Sequence, residues 1–308
     1  MHENQLLQRI YAANASLPPW VTLPPGDDMA QLSLTDTSLL VAADQLIDGV
    51  HFRLTDTSLH RVARKAVNRN ISDVAAMAAR PLACVATAAL PRGFGQDAAA
   101  ELFEALRVAA QHAAAPLVGG DLAVHDGPLH LSVTVLAVPW PDARPVTREG
   151  ARVGDGIWVS GRLGGSFPTG HHLDFMPRVE LAHRLAAHPR LRPHAMIDLS
   201  DGLAQDLTRL VPHARLFADR LPLRTHRPPP DDAYPAPPQI TWRHALHDGE
   251  DYELLFTLDP DAPVPAELAG VMLTRVGTVT DHGGHLVDDP AGQTHHLANV
   301  AAGWEHRG

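Results

Sequence analysis

Seven aspartates stand where the sequence places the ends of elements: Asp27, Asp28, Asp44, Asp73, Asp121, Asp198 and Asp201. Carboxylates repel one another, so gathering them in one cleft requires cations to neutralise them. Hard oxygen donors select magnesium or calcium rather than zinc. Magnesium sites of this kind usually serve phosphate groups, because the ion keeps waters and shares its shell with phosphate oxygens. The residues by themselves therefore point to an enzyme that handles nucleotide phosphates through metal ions. No P-loop is present, since Gly161-Arg-Leu-Gly-Gly-Ser166 lacks the Gly-Lys-Ser/Thr ending and also the spacing of a dinucleotide fingerprint.

Several of the aspartates also have an ordinary explanation. Asp27 and Asp28 follow Leu23-Pro-Pro-Gly26 on irregular backbone with nothing basic nearby in sequence, which fits a bound cation or a solvated turn. Asp73 sits between a basic segment and small apolar residues, as a cap or a buried cation ligand. Ser200 or Asp201 can cap the helix that follows Ile197-Asp198-Leu199. Asp206, further along that helix, reads as helix surface. Arg148 is an anion ligand or a surface charge. In His247-Asp-Gly-Glu-Asp-Tyr-Glu253 another group of carboxylates lies beside a glycine.

The elements that must position these residues alternate between strand and helix. The pattern predicts a helix at 3–13, a strand over 38–43 ending at Asp44, and a helix from Ser58 through Val67 whose basic face carries Arg61, Arg64 and Lys65. Further strands are expected at 82–90, at 116–118 (ended by Gly119-Gly120-Asp121) and at 129–138, with an amphipathic helix at 97–114. Pro139–Val153, with three prolines, reads as an interdomain connection. The second half offers strands at 156–160, 195–197, 254–256, 271–279 and 285–288, helices at 178–187 and 201–211, a proline-rich loop at 222–238 and a hairpin signal at His282-Gly-Gly284. The expected organisation is two domains, 1–140 and 141–308, of mixed α/β class.

Composition narrows the partners. The chain has 308 residues, 45% of them hydrophobic but only 5% aromatic, so small aliphatic side chains must fill a large core. A net charge of −10 argues against nucleic acid or an anionic membrane as partner. No apolar run approaches the roughly 18 residues of a membrane span. The N-terminus lacks a basic segment followed by an apolar one, so a soluble cytoplasmic protein is expected. The single cysteine, Cys84, lies in an apolar run and is read as core. Twenty histidines include the pairs His171-His172 and His295-His296, but none has zinc-site company, and most are taken as surface residues.

Six motifs in order carry a family resemblance: Gly26-Asp27-Asp28, Asp44 with Gly49-Val-His51-Phe52, Asn70-Ile-Ser-Asp73-Val-Ala-Ala-Met77, Gly119-Gly-Asp121, Ile197-Asp-Leu-Ser-Asp-Gly-Leu203 and Gly249-Glu-Asp-Tyr-Glu253. Over about residues 20 to 304 the chain resembles the thiamine-monophosphate kinases of the aminoimidazole-ribonucleotide synthetase superfamily. The resemblance implies a sheet domain that dimerises, a larger C-terminal α/β domain, and ATP with several magnesium ions in the cleft between them. It implies Asp27, Asp44, Asp73, Asp121, Asp198 and Asp201 as magnesium ligands, joined by the adjacent Asp28. Gly120, Asp121, Arg148 and Ser200 fall at ATP-contacting positions, and His51, Glu250 and Trp304 where thiamine monophosphate is held. A tryptophan at 304 suits a cationic thiazolium. The implied reaction is direct in-line transfer of the ATP γ-phosphoryl group, with no side-chain base.

The chain departs from the family's usual pattern at Ala42-Ala43, at Ala78 after Met77, at Leu122-Ala123 and at His247-Asp248, and the segment from Gly165 to Pro177 is short. Other members of the superfamily fit less well: a selenophosphate synthetase needs an N-terminal reactive cysteine, and the hydrogenase-maturation relative a cysteine tail. Aminoimidazole-ribonucleotide synthetase lacks the Gly-Glu-Asp-Tyr-Glu motif in this form. A non-catalytic nucleotide-binding regulator is the alternative from another class.

Overall fold

The computed structural model describes residues 18–23, 27–225 and 239–300. The helix expected at 3–13, part of the proline-rich loop, Gly26 and Trp304 lie outside these residues. Two sheets organise the rest. The first has the order β1-β2-β3-β6-β4-β5, from β1 (Val21–Leu23), β2 (Ala30–Ser33), β3 (Ser38–Ile47), β4 (Ala79–Pro91), β5 (Leu117–His125) and β6 (His130–Pro139). All its pairs are antiparallel except β4–β5. That parallel pair is joined by a crossover helix, α2 (Gln96–His112), as parallel neighbours require. β6 shows the alternation read from sequence: Leu131, Val133, Val135 and Ala137 are buried and the residues between them half-buried.

The second sheet runs β14-β13-β9-β12-β7-β10-β8. Its members are β7 (Gly156–Ser160), β8 (Ala195–Asp198), β9 (Ala214–Phe217), β10 (Leu254–Leu258), β12 (Val271–Val279), β13 (His285–Asp288) and β14 (Thr294–His296), with β11 (Glu267–Leu268) pairing β12. After the short helix α3 (His171–Asp174), helices α4 (Val179–Ala187) and α5 (Leu203–Leu210) pack on it. The hairpin expected at His282-Gly-Gly284 does not form. Gly283 and Gly284 do turn with positive φ, but β9 inserts between β12 and β13, so the two strands never pair.

The helix α1 (Leu59–Ala76) joins the halves. It starts at Ser58, whose hydroxyl accepts the Arg61 N–H, and runs well past Val67 because Ala63, Ala66, Ala75 and Ala76 keep it thin. It packs against α2, β3, β4 and β6 on one side and β8 and α4 on the other. A buried apolar group shared by Ala75, Ala78, Val146, Leu185, Met196 and Phe256 closes that second contact. The helix ends at Met77, and Ala78 takes the left-handed position (φ 48°) that usually falls to glycine. Cys84 is core, as expected: its thiol donates to the Ala115 carbonyl, and burial pushes it up to about 11.

Candidate active site

Three boundaries read from sequence are displaced, and each matters to the site. β3 continues to Ile47, so Asp44 lies in mid-strand. α1 continues to Ala76, so Asp73 lies in its last turn and is no cap. β5 runs through Gly119-Gly120-Asp121, because its partner β4 continues alongside as far as Pro91.

At the junction of the two sheets, carboxylate oxygens of Asp28, Asp73 and Asp198 all lie within 4.8 Å of one another. They come from the loop before β2, from α1 and from the end of β8. The Ser72 hydroxyl donates to Asp198 (2.6 Å). Burial, then the charge of Asp28, pushes Asp198 up to about 7. Asp73 is raised well above the carboxylate range by burial, with Asp44, Asp198 and Asp28 adding to it. Asp27 is raised to about 6, again by burial first and Asp28 second. These are the marks of carboxylates that lack a full complement of positive charge.

The protein supplies part of that charge itself. Arg148 donates from Nε and Nη2 to Asp28 (3.1 and 2.8 Å), and its backbone N–H donates to Asp27 (2.9 Å). The connection that carries it is anchored by Val146 N–H on the Met77 carbonyl. A basic partner for Asp27 and Asp28 therefore exists, 120 residues away from Asp28 in sequence and invisible to local inspection. Asp44 is held by the Asn70 side chain at its N–H (3.1 Å) and by Arg69 at its carboxylate (3.4 Å).

Asp121 and Asp201 stand outside the group of three. Across the sheet, Asp44 aligns with Val133, Ala86 and then Gly120, three strands away, or roughly 14 Å at the usual strand spacing. Gly119, Gly120 and Asp121 are exposed there beside a cavity of about 690 Å³ that also takes in Ala86, Phe103 and Arg107. Asp201 pairs with Arg209 (2.7 Å). Asp206, expected on the helix surface, is fully buried: it accepts the Asp201 N–H (3.0 Å) and pairs with Arg209 (2.9 Å). α5 turns this residue inward, and the same burial, with Asp201, raises its pKa.

On the other flank the loop 249–253 brings Glu250 to His51 through a residue that the sequence places on the basic face of α1. Lys65 is fully buried, pairs with the Glu250 carboxylate and donates to the His51 carbonyl (2.7 Å). Burial lowers it to about 8 against the pull of Glu250. The available signal was its position among Ala63, Ala66 and Val67 on the apolar side of α1. The His51 ring turns inward, its Nδ1 accepting the Ile47 N–H (3.1 Å). Gly249, Glu250 and Tyr252 all have positive φ (70°, 51° and 49°). Their N–H groups are occupied in part by this bend, Glu250 donating to Ser200 O (2.7 Å) and Tyr252 to Leu199 O (2.8 Å). A Cβ at Gly249 would meet Ser200 O at 2.9 Å.

The neighbouring acids are structural. Asp251 accepts from the Gly164 N–H, the Ser166 hydroxyl and Arg224; Glu253 accepts from Ser160 and Arg178. His172 departs from the expected surface placement of most histidines. It is 2% exposed, hydrogen-bonds Ser166 O, and is lowered to about 3 by burial. Trp304 lies outside the described residues.

Residues 26–138 match the family described as AIR synthase related protein, N-terminal domain. A thiamine-monophosphate kinase of Rhodopirellula baltica is 38% identical over 280 residues, covering 86% of each chain. The solved structure of AaThiL complexed with AMPPCP and TMP superposes with a TM-score of 0.79 at 25% identity, covering 99% of this chain and 97% of that one. The thiamine-monophosphate kinase of Stenotrophomonas maltophilia K279a gives a TM-score of 0.68 at 32% identity, over 93% of this chain and 96% of that one. Likeness at this identity over nearly the whole length of both chains settles the affiliation: the chain belongs to the thiamine-monophosphate kinase family.

Proposed function

We propose that the protein phosphorylates thiamine monophosphate to thiamine diphosphate by direct in-line transfer of the ATP γ-phosphoryl group. The observation that carries this reading is the buried meeting of Asp28, Asp73 and Asp198 at the junction of the two sheets, in a chain of this family. The three carboxylates make a hard, all-oxygen donor set that fits magnesium, and burial raises the pKa of Asp73 and Asp198 among them. Asp28, Asp73 and Asp198 would hold it, with Asp27 and Asp44 beside them and Asp121 and Asp201 serving further ions. Bound magnesium supplies charge neutralisation for the phosphates.

The chain's own groups do the rest. Gly120 and Asp121, at the cavity beside β5, take the nucleotide, with Arg148 and Ser200 on the cleft side. His51, Glu250 and Trp304 take thiamine monophosphate, whose cationic ring suits the Glu250 carboxylate and the Trp304 face. No side-chain base is required. A phosphate monoester has a second pKa of about 6, so the attacking oxygen is already anionic near neutrality. The remaining difficulty is bringing two anions into line, and positioning with charge neutralisation meets it.

The exposed edge strand β5, with Val118, Leu122 and Val124 at 64, 50 and 59% exposure, supports pairing of two copies there. We infer domains 1–140 and 141–308, consistent with the two sheets. No helix among the described residues is long and apolar enough to cross a membrane. The reading is tested by incubating the protein with ATP, magnesium and thiamine monophosphate and separating the products. Thiamine diphosphate is expected, and its loss in Asp121→Asn. Tight ATP binding without product would favour a regulator instead.

A further inference from the structure

A cavity of about 750 Å³ lies between α1, α2 and the Met176–Glu180 segment, and shares no residue with the carboxylate group or the β5 cavity. Its volume is in the range of small-molecule sites. Its walls are apolar, with Ile71, Pro81, Val108, Ala109, Trp140 and Met176 among them.

Its polar groups are almost all donors or cations. His60, Arg61, Arg64, Arg80 and His112 line it against a single acid, Glu180, which is already paired with Arg184 (2.7 Å). Arg61 and Arg64 both reach for one carboxylate, Asp174, so that corner carries excess positive charge. Arg64 is held below its ordinary value by burial and by Arg61. The exposed Arg80 side chain makes no hydrogen bond or ion pair among the described residues. The buried Trp140 indole N–H also lacks an acceptor there, while its ring stacks on His183 at 4.0 Å.

We propose that this cavity binds a small amphipathic organic anion, its apolar body between α1 and α2 and its single carboxylate or phosphate among Arg61, Arg64 and Arg80. The site goes beyond the kinase reaction and uses none of its residues. It spans both halves of the chain, since α1 and α2 form one side and the lead into α4 the other. A bound anion would therefore tie those halves together.

Calorimetric titration of the full chain with octanoate, with octan-1-ol as the neutral counterpart, tests this. One octanoate per chain is expected, with octanol at least about tenfold weaker, as loss of one charge-assisted contact implies. Arg80→Glu and Met176→Glu, at exposed rim positions, should each weaken octanoate by about tenfold or more while leaving the melting temperature unchanged. Equal binding of octanol, binding untouched by both variants, or no saturable heat at millimolar octanoate would each overturn the proposal.

Discussion

Asp198→Asn separates the carboxylate group's cost from its use. Asp198 is fully buried, and its pKa is about 7 in the fold against the ordinary 3.8. Between those values the folded state binds the extra proton, so stability falls as pH rises and the penalty is fully present above about pH 7. At about 1.4 kcal/mol per pKa step, the difference amounts to roughly 4 kcal/mol. Asparagine keeps an acceptor for the Ser72 hydroxyl and removes the charge. In EDTA at pH 8 the variant should therefore be more stable than the wild type, by at most about 4 kcal/mol. For 308 residues that corresponds to about 6 °C in melting temperature. Thermal melts at pH 5, 6, 7 and 8, with EDTA or with magnesium, would show a wild type that loses stability with rising pH and regains it with the ion. The variant should be flatter in pH and should gain less from magnesium. A variant less stable than wild type at pH 8 in EDTA would refute the repulsion argument.

Lys65→Met should cost about 3–5 kcal/mol by stranding Glu250, as breaking a buried pair does. The double variant Lys65→Met/Glu250→Gln should recover most of that stability in a urea titration without recovering kcat/KM for thiamine monophosphate. In the wild type, KM for thiamine monophosphate should rise as pH passes about 8, where Lys65 gives up its proton and Glu250 loses its partner. Asp206→Ala should destabilise by about 3 kcal/mol or more, because Arg209 and the Asp201 N–H lose a buried acceptor; an unchanged denaturation midpoint would contradict the burial. Leu122→Asp on β5 should turn a dimer into monomers in sedimentation, with the melting temperature of the monomer retained.

Most of the element pattern was legible because it follows from period and breakers. β12 and β13 fall at 271–279 and 285–288, as the sequence predicts, and β6 shows its alternation directly. The errors came where a partner distant in sequence decided the outcome. Asp44 and Gly120 look like strand ends because polar or glycine residues usually stop a strand, yet β6 and β4 pair with those positions and carry the strands through. β9 was missed because four residues carry little periodic signal, and its insertion undid the expected hairpin. Within the site, the aspartates could be named but not sorted. Only the fold shows that Asp28, Asp73 and Asp198 meet, that Arg148 reaches Asp28 and that Lys65 faces inward. Charge in a helix does not fix exposure: Asp206, expected on the helix surface, and Lys65, on a basic face, are both buried beside an opposite charge.

The bend at Gly249, Glu250 and Tyr252 bears on attempts to improve the protein by selection. Left-handed backbone costs an ordinary side chain about 1 kcal/mol or more, and glycine or asparagine escapes most of that. A library screened for heat resistance would not recover that cost, because glycine at 250 strands the buried Lys65 ammonium and glycine at 252 opens a cavity where Tyr252 stacks on Phe175 at 4.0 Å. The strained bend is thus held by the two side chains it presents, Glu250 to Lys65 and Tyr252 to Phe175. Thermostabilisation campaigns on this chain should hold those two positions fixed and look for their gains elsewhere.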